Sequence, residues 1–393
     1  MKTKRILLKK SVAALLMCSM SLQTIACTSS ASQAKTTNKS IQTNTSDVKI
    51  QVAILLDTSS SMNGLIDQAK SRLWQIVNTL SSLKYEGKDP ILEIALYEYG
   101  NDNLNAENGY VRKVTGFTTD LDYLSEKLFA LSTNGGLEYC GTVIQNAHQQ
   151  LDWSSNDKAI KLMYIAGNEG YDQGKINFRE ASSAAVDNQI FINTIYCGDK
   201  QSGIRAQWQD GAVSGKGKYF NIDHNGAIRH IATPYDDRIA EKNSAINSTY
   251  VSYTRAGSSN KSNQSRQDAN ASSMSKEVYA ERIVSKSKSS YKNESWDLVD
   301  AVKVDKGNIK KVDKSVLPSH MQGMSDVELE AAVAKMDKER ATLQKEIAEL
   351  AKQREAYIQA NKDNTNDADD LGSAITKSIL ELAYTKNYTY VKG

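Results

Sequence analysis

The sequence predicts an α/β protein with a doubly wound, mostly parallel sheet, followed by a helical, partly coiled-coil C-terminal region. Between residues 48 and 252, short apolar runs alternate with segments of helical period. Strands and helices that alternate in this way form parallel sheets with helices on both faces. Beyond that point, 253–271 is polar and predicts a linker, and helical patterns return over 272–393. We therefore expect one sizeable domain and a C-terminal extension.

The first predicted strand ends in a run of polar oxygens. Residues 50–56 are apolar at every position except Gln51, which is typical of a strand buried on both faces. The run stops at Asp57, and Ser59 and Ser61 follow at alternate positions before a helical pattern begins. Ligands of open α/β sheets bind at the carboxyl ends of strands. Carboxylate and hydroxyl oxygens there suit a hard divalent cation.

The remaining elements follow in alternation. Five more strands are predicted, over 91–97, 110–114, 160–166, 190–196 and 218–222. Helices are predicted over 65–80, 121–131 and 143–151, and near 178–188, 203–213 and 226–250. Helical spacing of apolar residues defines the first three helices, and Thr119 or Asp120 is the expected cap of the second.

The N-terminus has the pattern of a targeting segment. The first 26 residues contain five basic and no acidic residues, and an apolar centre too short to span a membrane comfortably. The rest of the chain has 44 basic and 46 acidic residues, so the net charge of +3 comes from the leader. The charge balance therefore predicts no nucleic-acid-binding surface.

The end of this leader resembles the lipobox of bacterial lipoproteins. Ala26 precedes Cys27, although Thr24 stands where Leu is usual. The resemblance implies a signal peptide over 1–26, lipid on Cys27 and a flexible tether over 27–47. It implies a membrane-anchored protein of the bacterial cell envelope, in the outer membrane if the cell has two, since Thr28 rather than Asp follows the cysteine. An ordinary secretory signal is the alternative.

The D-x-S-x-S pattern at Asp57, Ser59 and Ser61 resembles the metal-ion-dependent adhesion motif of von Willebrand factor type A (VWA) domains. The resemblance covers roughly 48–235 and extends to bacterial lipoproteins that carry such a domain. It implies the strand order 3-2-1-4-5-6, with a crevice beside the first strand. In that family a Thr before a later helix and an Asp at the end of the central strand complete the site, whereas Glu138 and Gly167 occupy those positions here.

The resemblance therefore implies an altered site that binds Mg²⁺ or Ca²⁺ through Asp57, Ser59, Ser61 and Glu138. Asn168 and Glu169 follow the central strand and are expected around these ligands. In the alternative, the same four residues form a hydrogen-bonded loop cluster without an ion.

Two cysteines remain after removal of the leader and lipidation of Cys27. Cys140 and Cys197 both lie beside the predicted crevice, and an oxidising compartment favours a disulfide that braces its rim. Two buried free thiols are the alternative.

The C-terminal region contains a long helical pattern. Apolar residues over 326–358 recur at alternating steps of four and three, the spacing of a coiled-coil seam. Arg340 and Arg354 fall in that seam and weaken a dry zipper. A homo-oligomer through these helices and a hairpin that folds back on 272–302 both fit the pattern. The run 361–370 lacks the Gly and Glu of a Ca²⁺-binding loop and predicts a solvated turn.

No catalytic constellation stands out among the four scattered histidines and the remaining motifs. We therefore expect a membrane-anchored, non-enzymatic protein-binding module, whose crevice recognises a protein ligand, with an acidic residue of the partner completing the metal shell. Two alternatives remain open. One is a metal-free structural scaffold of the envelope that binds through its helical tail, and the other is a metal-dependent hydrolase.

Overall fold

The computed structural model of the chain describes residues 48–226, 228, 230–361 and 371–391. The predicted signal peptide, the lipidation site Cys27 and the tether lie outside the described residues, as does most of the acidic run near 365. Across the part of the chain that is described, no helix combines the length and the apolar character needed to cross a membrane.

A six-stranded sheet forms the centre of the fold. Its strands are β1 (Lys49–Asp57), β3 (Ile91–Tyr99), β4 (Val111–Thr118), β5 (Ile160–Gly167), β6 (Phe191–Cys197) and β7 (Lys216–Ile222), and β2 (Leu83–Tyr85) lies outside it. The strand order is β4-β3-β1-β5-β6-β7. Numbered by the six predicted strands, this is 3-2-1-4-5-6, so the predicted fold class and strand order are confirmed.

The register brings the carboxyl ends of the central strands to one edge. Strand β1 is parallel to both β3 and β5, with Asp57 opposite Tyr99 and Leu56 opposite Ala166. Strand β4 alone runs antiparallel, on β3. Helices on both faces leave the central strands no exposed side, which explains their almost uninterrupted apolar sequence.

Fourteen helices surround the sheet in the described ranges. They are α1 (Asn63–Ser81), α2 (Leu121–Phe129), α3 (Cys140–Gln150), α4 (Phe178–Asp187), α5 (Lys200–Arg205), α6 (Trp208–Ser214), α7 (Asp236–Ala240), α8 (Asn243–Ser248), α9 (Gly257–Met274), α10 (Lys276–Lys286), α11 (Leu298–Val304), α12 (Asn308–Lys311), α13 (Asp326–Ala360) and α14 (Leu371–Thr385). The helix predicted near 203–213 is two helices, because Gln207 adopts a left-handed conformation between them. Of the helix predicted near 226–250, the described residues form α7 and α8.

Alternate residues of β1 enter two separate apolar cores. Val52, Ile54 and Leu56 pack in the core formed with α1, α2 and α14. Ala53 and Leu55 pack in the core formed with α3 and α4 on the opposite face. This division follows from the two-residue period of a strand.

The linker predicted over 253–271 is wrong, because most of this segment is the helix α9. Its buried side chains include Gln264, Gln267 and Asp268, and the Ser125 hydroxyl donates to Gln267 Oε1 at 2.8 Å. Buried polar groups are stable when they are hydrogen-bonded. Because α9 packs largely through hydrogen-bonded polar side chains, its sequence lacks the apolar stripe that identifies a helix, and a polar sequence of this kind predicts a linker.

The C-terminal region, called the tail (the described residues from 253), packs on the sheet domain (the described residues of 48–252). Ile375 and Ile379 of α14 share the apolar core of α1, and α14 also contacts β5, β6 and β7. A final strand, β8 (Tyr388–Tyr390), pairs antiparallel with β2. The sheet domain and the tail therefore share one core, and residue 252 is not a structural boundary.

The predicted coiled-coil seam of α13 faces its own chain. Leu329 and Val333 join an apolar cluster with Val251 and Leu298. The Arg340 guanidinium donates to Asp297 Oδ2 at 2.7 Å and to Asp300 Oδ1 at 2.8 Å. Helix α13 contacts both α10 and α11, as expected for a helix folded back on 272–302. Homo-oligomerisation through the tail stays a prediction.

Candidate functional site

The candidate site lies at the carboxyl ends of β1, β3 and β5. We call it the crevice and define it by Asp57, Ser59, Ser61 and Glu138. Asp57 is the last residue of β1 and is 0% exposed, and Glu138 is 2% exposed. Ser61 remains exposed. The crevice therefore combines a buried pair of carboxyl groups with a hydroxyl at the surface.

The D-x-S-x-S segment forms a compact turn. The backbone N–H of Ser59 donates to Asp57 Oδ1 at 2.7 Å. The hydroxyls of Ser59 and Ser61 share a hydrogen bond of 3.2 Å, and Asn168 Nδ2 donates to Ser61 Oγ at 3.2 Å. The turn thus places the three motif residues together and brings Asn168 to them.

Glu138 belongs to the irregular segment 131–139, which docks on the first loop. The N–H of Asn134 donates to the Thr58 carbonyl at 3.1 Å. The N–H of Gly135 donates to Ser60 Oγ at 2.6 Å. Gly136 has φ +125°, and a Cβ there would collide with the carbonyl of Gly100. A side chain at position 136 is therefore excluded by both conformation and space.

Asp57 and Glu138 meet above Gly100. A Cβ added to Gly100 would lie 2.7 Å from Asp57 Oδ1 and 2.9 Å from Glu138 Cγ. Glycine thus permits the backbone of the loop after β3 to approach both side chains. The structure brings Asp57, Ser59, Ser61 and Glu138 together, as the resemblance implies.

Burial and mutual proximity change the pKa values of the Asp57 and Glu138 carboxyl groups. Burial raises the pKa of Asp57 well above its usual value, and the charge of Glu138 raises it further. Burial also raises the pKa of Glu138, against hydrogen bonds from Asp57 and Ser59 that lower it. Among the described residues, no Lys, Arg or His forms an ion pair with either carboxylate. When both groups are ionised, their negative charge is therefore uncompensated within the described chain.

A divalent cation fits this donor set. Asp57 Oδ2 is buried and has no hydrogen-bond partner among the described residues. Such an oxygen is costly to bury unless something satisfies it. Two carboxylates and two hydroxyls are hard oxygen donors of the kind that Mg²⁺ and Ca²⁺ prefer. No three His, Cys, Asp or Glu side chains cluster for a metal in the described ranges, so hydroxyls and water would have to complete the coordination.

Tyr99 is a site residue that sequence reasoning missed. Its hydroxyl donates to the Ala166 carbonyl at 3.0 Å. A Cβ added to Gly167 would lie 2.5 Å from that hydroxyl and 3.1 Å from Asp57 Oδ2. The phenol thus fills the space beside Gly167, where the resembled family carries its second Asp. Nothing in the sequence links positions 99 and 167.

Asn168 and Glu169 border the crevice differently. Asn168 contacts Ser61 through its side chain. Glu169 contacts Glu138 through its backbone N–H, 3.3 Å from Glu138 Oε2, while its own carboxylate is exposed. Asn101 stabilises the loops, since its Nδ2 donates to the Ser132 carbonyl at 2.9 Å.

The predicted disulfide is wrong, because Cys140 and Cys197 are both buried free thiols. Cys140 begins α3 and packs in the core on that face of the sheet. Cys197 ends β6 and packs in the core on the α1 face. The sheet separates the two sulfurs, and a disulfide needs Cα atoms within about 7 Å and converging side chains.

Comparisons with known proteins give distant similarities only. No protein-family model and no curated protein matches the sequence. Among solved structures, the chain is similar to proximal thread matrix protein 1 from the mussel byssus, with 16% identity, coverage of 44% of this chain and 42% of that chain, and a TM-score of 0.34. The chain thus spans less than half the length of the mussel protein. A further structure of that protein has a zinc-occupied metal-ion-dependent adhesion motif.

Two other similar structures are shorter chains. An aerotolerance-related membrane protein from Bacteroides fragilis has 15% identity, 44% and 92% coverage and a TM-score of 0.31. The SpRpn10 VWA domain has 15% identity, 44% and 87% coverage and a TM-score of 0.34. The assignment of the fold depends on the strand order and on the D-x-S-x-S loop at the end of β1. On those two features, residues 49–222 have the fold of a von Willebrand factor type A domain.

Proposed function

We propose that the chain is a metal-dependent protein-binding module. Asp57, Ser59, Ser61 and Glu138 hold Mg²⁺ or Ca²⁺, and the crevice around them recognises a protein partner. The observation that supports this most strongly is the buried, unpartnered Oδ2 of Asp57 beside a second buried carboxyl group. Two adjacent buried carboxylates without a basic partner are unfavourable unless they share a proton or a cation lies between them.

The residues have distinct tasks in this proposal. Asp57 and Glu138 supply negative charge from the buried side, and the hydroxyls of Ser59 and Ser61 supply neutral oxygens. Ser61 is exposed, so the outer side of the site is open to a partner. A bound divalent cation would supply an attraction for an oxygen of that partner. The hydrogen bonds from Asn134 and Gly135 keep the Glu138 segment on the first loop.

Two groups beside the carboxyl pair, Tyr99 and Cys140, are not candidate bases. Burial raises the pKa of the Tyr99 hydroxyl and of the Cys140 thiol well above their usual values. Both groups therefore stay protonated near neutral pH and do not act as bases. A hydrolase would need a positioned base to activate water or a nucleophile. A screen of ester, phosphoester and peptide substrates with the metal-loaded protein tests this part of the proposal, and sustained turnover would contradict it.

We further propose that lipid on Cys27 anchors the protein in the bacterial cell envelope. The support is the leader and the Ala26–Cys27 junction alone. Metabolic labelling with a fatty-acid analogue tests it. We expect the wild-type protein to incorporate the label and to fractionate with membranes, and Cys27→Ala to do neither. A Cys27→Ala protein that incorporates the label would contradict the lipid anchor.

Calorimetry with Mg²⁺, Ca²⁺ and Mn²⁺ tests the metal site. Asp57→Asn keeps the shape of the side chain and removes one charge, so we expect the wild type to bind at least one of the ions and this variant to bind none. Asp152→Asn is the matched control, because Asp152 is exposed and lies in the loop before β5, at the other end of the strand from the crevice. Binding that persists in Asp57→Asn, or no binding by the wild type, would overturn the proposal.

A further inference from the structure

The loops around the crevice are strongly acidic. The four segments at this edge of the sheet are 57–62, 100–110, 131–139 and 167–177. They contain six acidic residues and one basic residue, Lys175, although the whole chain has a net charge of +3. The six are Asp57, Asp102, Glu107, Glu138, Glu169 and Asp172. These four segments therefore carry a net charge of −5, counted from the sequence.

Four of these acids form an exposed rim. Asp102, Glu107, Glu169 and Asp172 are all exposed, and none of them forms an ion pair among the described residues. Asp172 only accepts a hydrogen bond from the neutral Gln207 side chain. Asp210, by contrast, is an exposed acid that pairs with Arg179 at 3.2 Å. The rim is thus left without internal charge compensation.

We infer that the partner segment recognised at the crevice is basic rather than acidic, an inference that rests on the proposed function. A divalent cation would compensate Asp57 and Glu138, and the four rim acids against Lys175 would still leave a net charge of −3. A carboxylate from a partner would then approach against the field of the rim, whereas lysine or arginine would approach with it.

The identity of residue 138 leads to the same inference. The resembled adhesion sites have a neutral hydroxyl at this position, and Glu138 supplies a carboxylate from the buried side. A carboxylate already beside the cation reduces the attraction of that cation for a second carboxylate from outside. The oxygen that completes the shell is then water, a hydroxyl or a carbonyl of the partner. The rim acids Glu169 and Asp102 bind its neighbouring basic side chains.

Leu137 adds an apolar contact beside this acidic rim. Its side chain is 49% exposed, directly before the buried Glu138. An exposed leucine next to the acidic rim suits a partner segment that has an apolar side chain among its basic residues. The partner class is therefore a basic segment of another protein with at least one apolar side chain.

Binding of the full-length protein to two immobilised peptide sets tests the inference. The peptides have matched length and apolar content, and they carry lysine and arginine in one set and aspartate and glutamate in the other. In Mg²⁺ or Ca²⁺, we expect the wild type to prefer the basic set by at least about tenfold, and added salt to reduce the preference. The double variant Asp102→Asn, Glu169→Gln should lose most of this preference, while Asp152→Asn keeps it.

The outcomes separate the inference from the proposed function. Cation-dependent binding of the acidic set would overturn the inference and leave a metal-dependent binding module standing. Binding of neither set in any of the cations would overturn both. A basic preference that the double variant retains in full would overturn the assignment of the rim acids. Circular dichroism on each variant, all of which change exposed side chains, verifies that the fold is kept.

Discussion

The interface between the tail and the sheet domain buries carboxylates beside arginine and lysine, whereas the crevice buries two carboxylates beside each other. At the interface, Arg282 is 0% exposed and donates to Asp268 Oδ1 at 2.9 Å. Its other nitrogen lies 2.7 Å from Asp122 Oδ1 in the sheet domain, and Lys286 donates to Asp268 Oδ2 at 2.5 Å. Two acids thus face two bases, and the charges balance.

The two regions differ in the direction of their pKa shifts. Although burial opposes it, the charges of Arg282 and Lys286 hold the pKa of Asp268 well below its usual value. Burial raises the pKa of Asp57 instead, and the charge of Glu138 adds to it. The charges of the interface balance within the chain, although Arg282 Nη1 has no hydrogen-bond partner among the described residues. The crevice has no basic partner within the described chain, and this imbalance is the basis of the proposed metal site.

Removal of the interface arginine is expected to have the largest effect. Arg282→Met leaves Asp122 and Asp268 with reduced compensation in a buried place. Loss of one partner of a buried pair costs about 3–5 kcal/mol, so we expect the free energy of unfolding to fall by about that amount in urea denaturation.

Arg179→Met is the matched control for this change. Arg282 stacks on the Trp74 ring at 4.4 Å, and Arg179 stacks on the Phe178 ring at the same distance. Arg179, however, is exposed and pairs with Asp210 at 3.2 Å. Exposed pairs contribute about 0–1 kcal/mol. Equal losses of unfolding free energy in the two variants would mean that the buried ion pairs of Arg282 contribute no more than the exposed pair of Arg179.

Helix α14 provides the second test of the interface. Ile375 is fully buried and lines a small apolar cavity with Leu73 and Leu124. Ile375→Ala should lower the free energy of unfolding by about 2–5 kcal/mol, since it enlarges a cavity in a shared core. Tyr384→Ala on the exposed face of the same helix should change it by less than about 0.5 kcal/mol. A negligible effect of Ile375→Ala would mean that the tail does not share the core of the domain.

The pH dependence of stability tests the crevice. A carboxyl group with a raised folded pKa holds its proton in the native state after the unfolded chain has lost it. Stability of the metal-free protein should therefore fall as pH rises above about 4, the unfolded value, towards the raised pKa of Asp57. Asp268 has a lowered pKa in the folded state, so its contribution to stability is lost only as pH falls below about 4, the unfolded value.

We expect Asp57→Asn to remove much of this fall and to be more stable than the wild type at neutral pH without metal. Saturating Mg²⁺ or Ca²⁺ should stabilise the wild type and leave the variant unchanged. Thermal unfolding across pH with a chelator or with metal measures both effects. A wild type whose stability is the same as that of Asp57→Asn at every pH would contradict the account of the pair.

The smallest effect is expected from reductant. Cys140 and Cys197 are free, so the melting temperature should not change when a reducing agent is added. Alkylation of the protein without reductant, followed by peptide mapping, should label both cysteines only after denaturation. A disulfide-linked pair of peptides that contains Cys140 and Cys197 would contradict the free thiols of the structure.

The sequence was informative where apolar patterns and position along a strand decide the structure. Strand β1 and the position of Asp57 at its carboxyl end follow from one buried run and its abrupt stop. The six strands were recognisable in the same way, and their order followed from the resemblance. Glu138 was placed near Asp57 by the same resemblance, and the structure brings the two together.

Features that depend on contacts between distant segments were missed. The burial of Gln267 in α9 depends on a hydrogen bond to Ser125, 142 residues away. The separation of Cys140 from Cys197 depends on which face of the sheet α3 covers. The Tyr99 side chain, at the end of β3, is long enough for its hydroxyl to lie beside Gly167 at the end of β5. No local pattern encodes these contacts, because each involves two positions whose spacing along the chain is arbitrary.

A crystal structure of the wild-type protein grown with Mn²⁺ and measured at its absorption edge tests the central claim most directly. We expect an anomalous peak within coordination distance of both Asp57 and Glu138, and no such peak in crystals of Asp57→Asn. Two carboxyl groups that share a hydrogen bond, with no peak between them at high Mn²⁺ concentration, would contradict it.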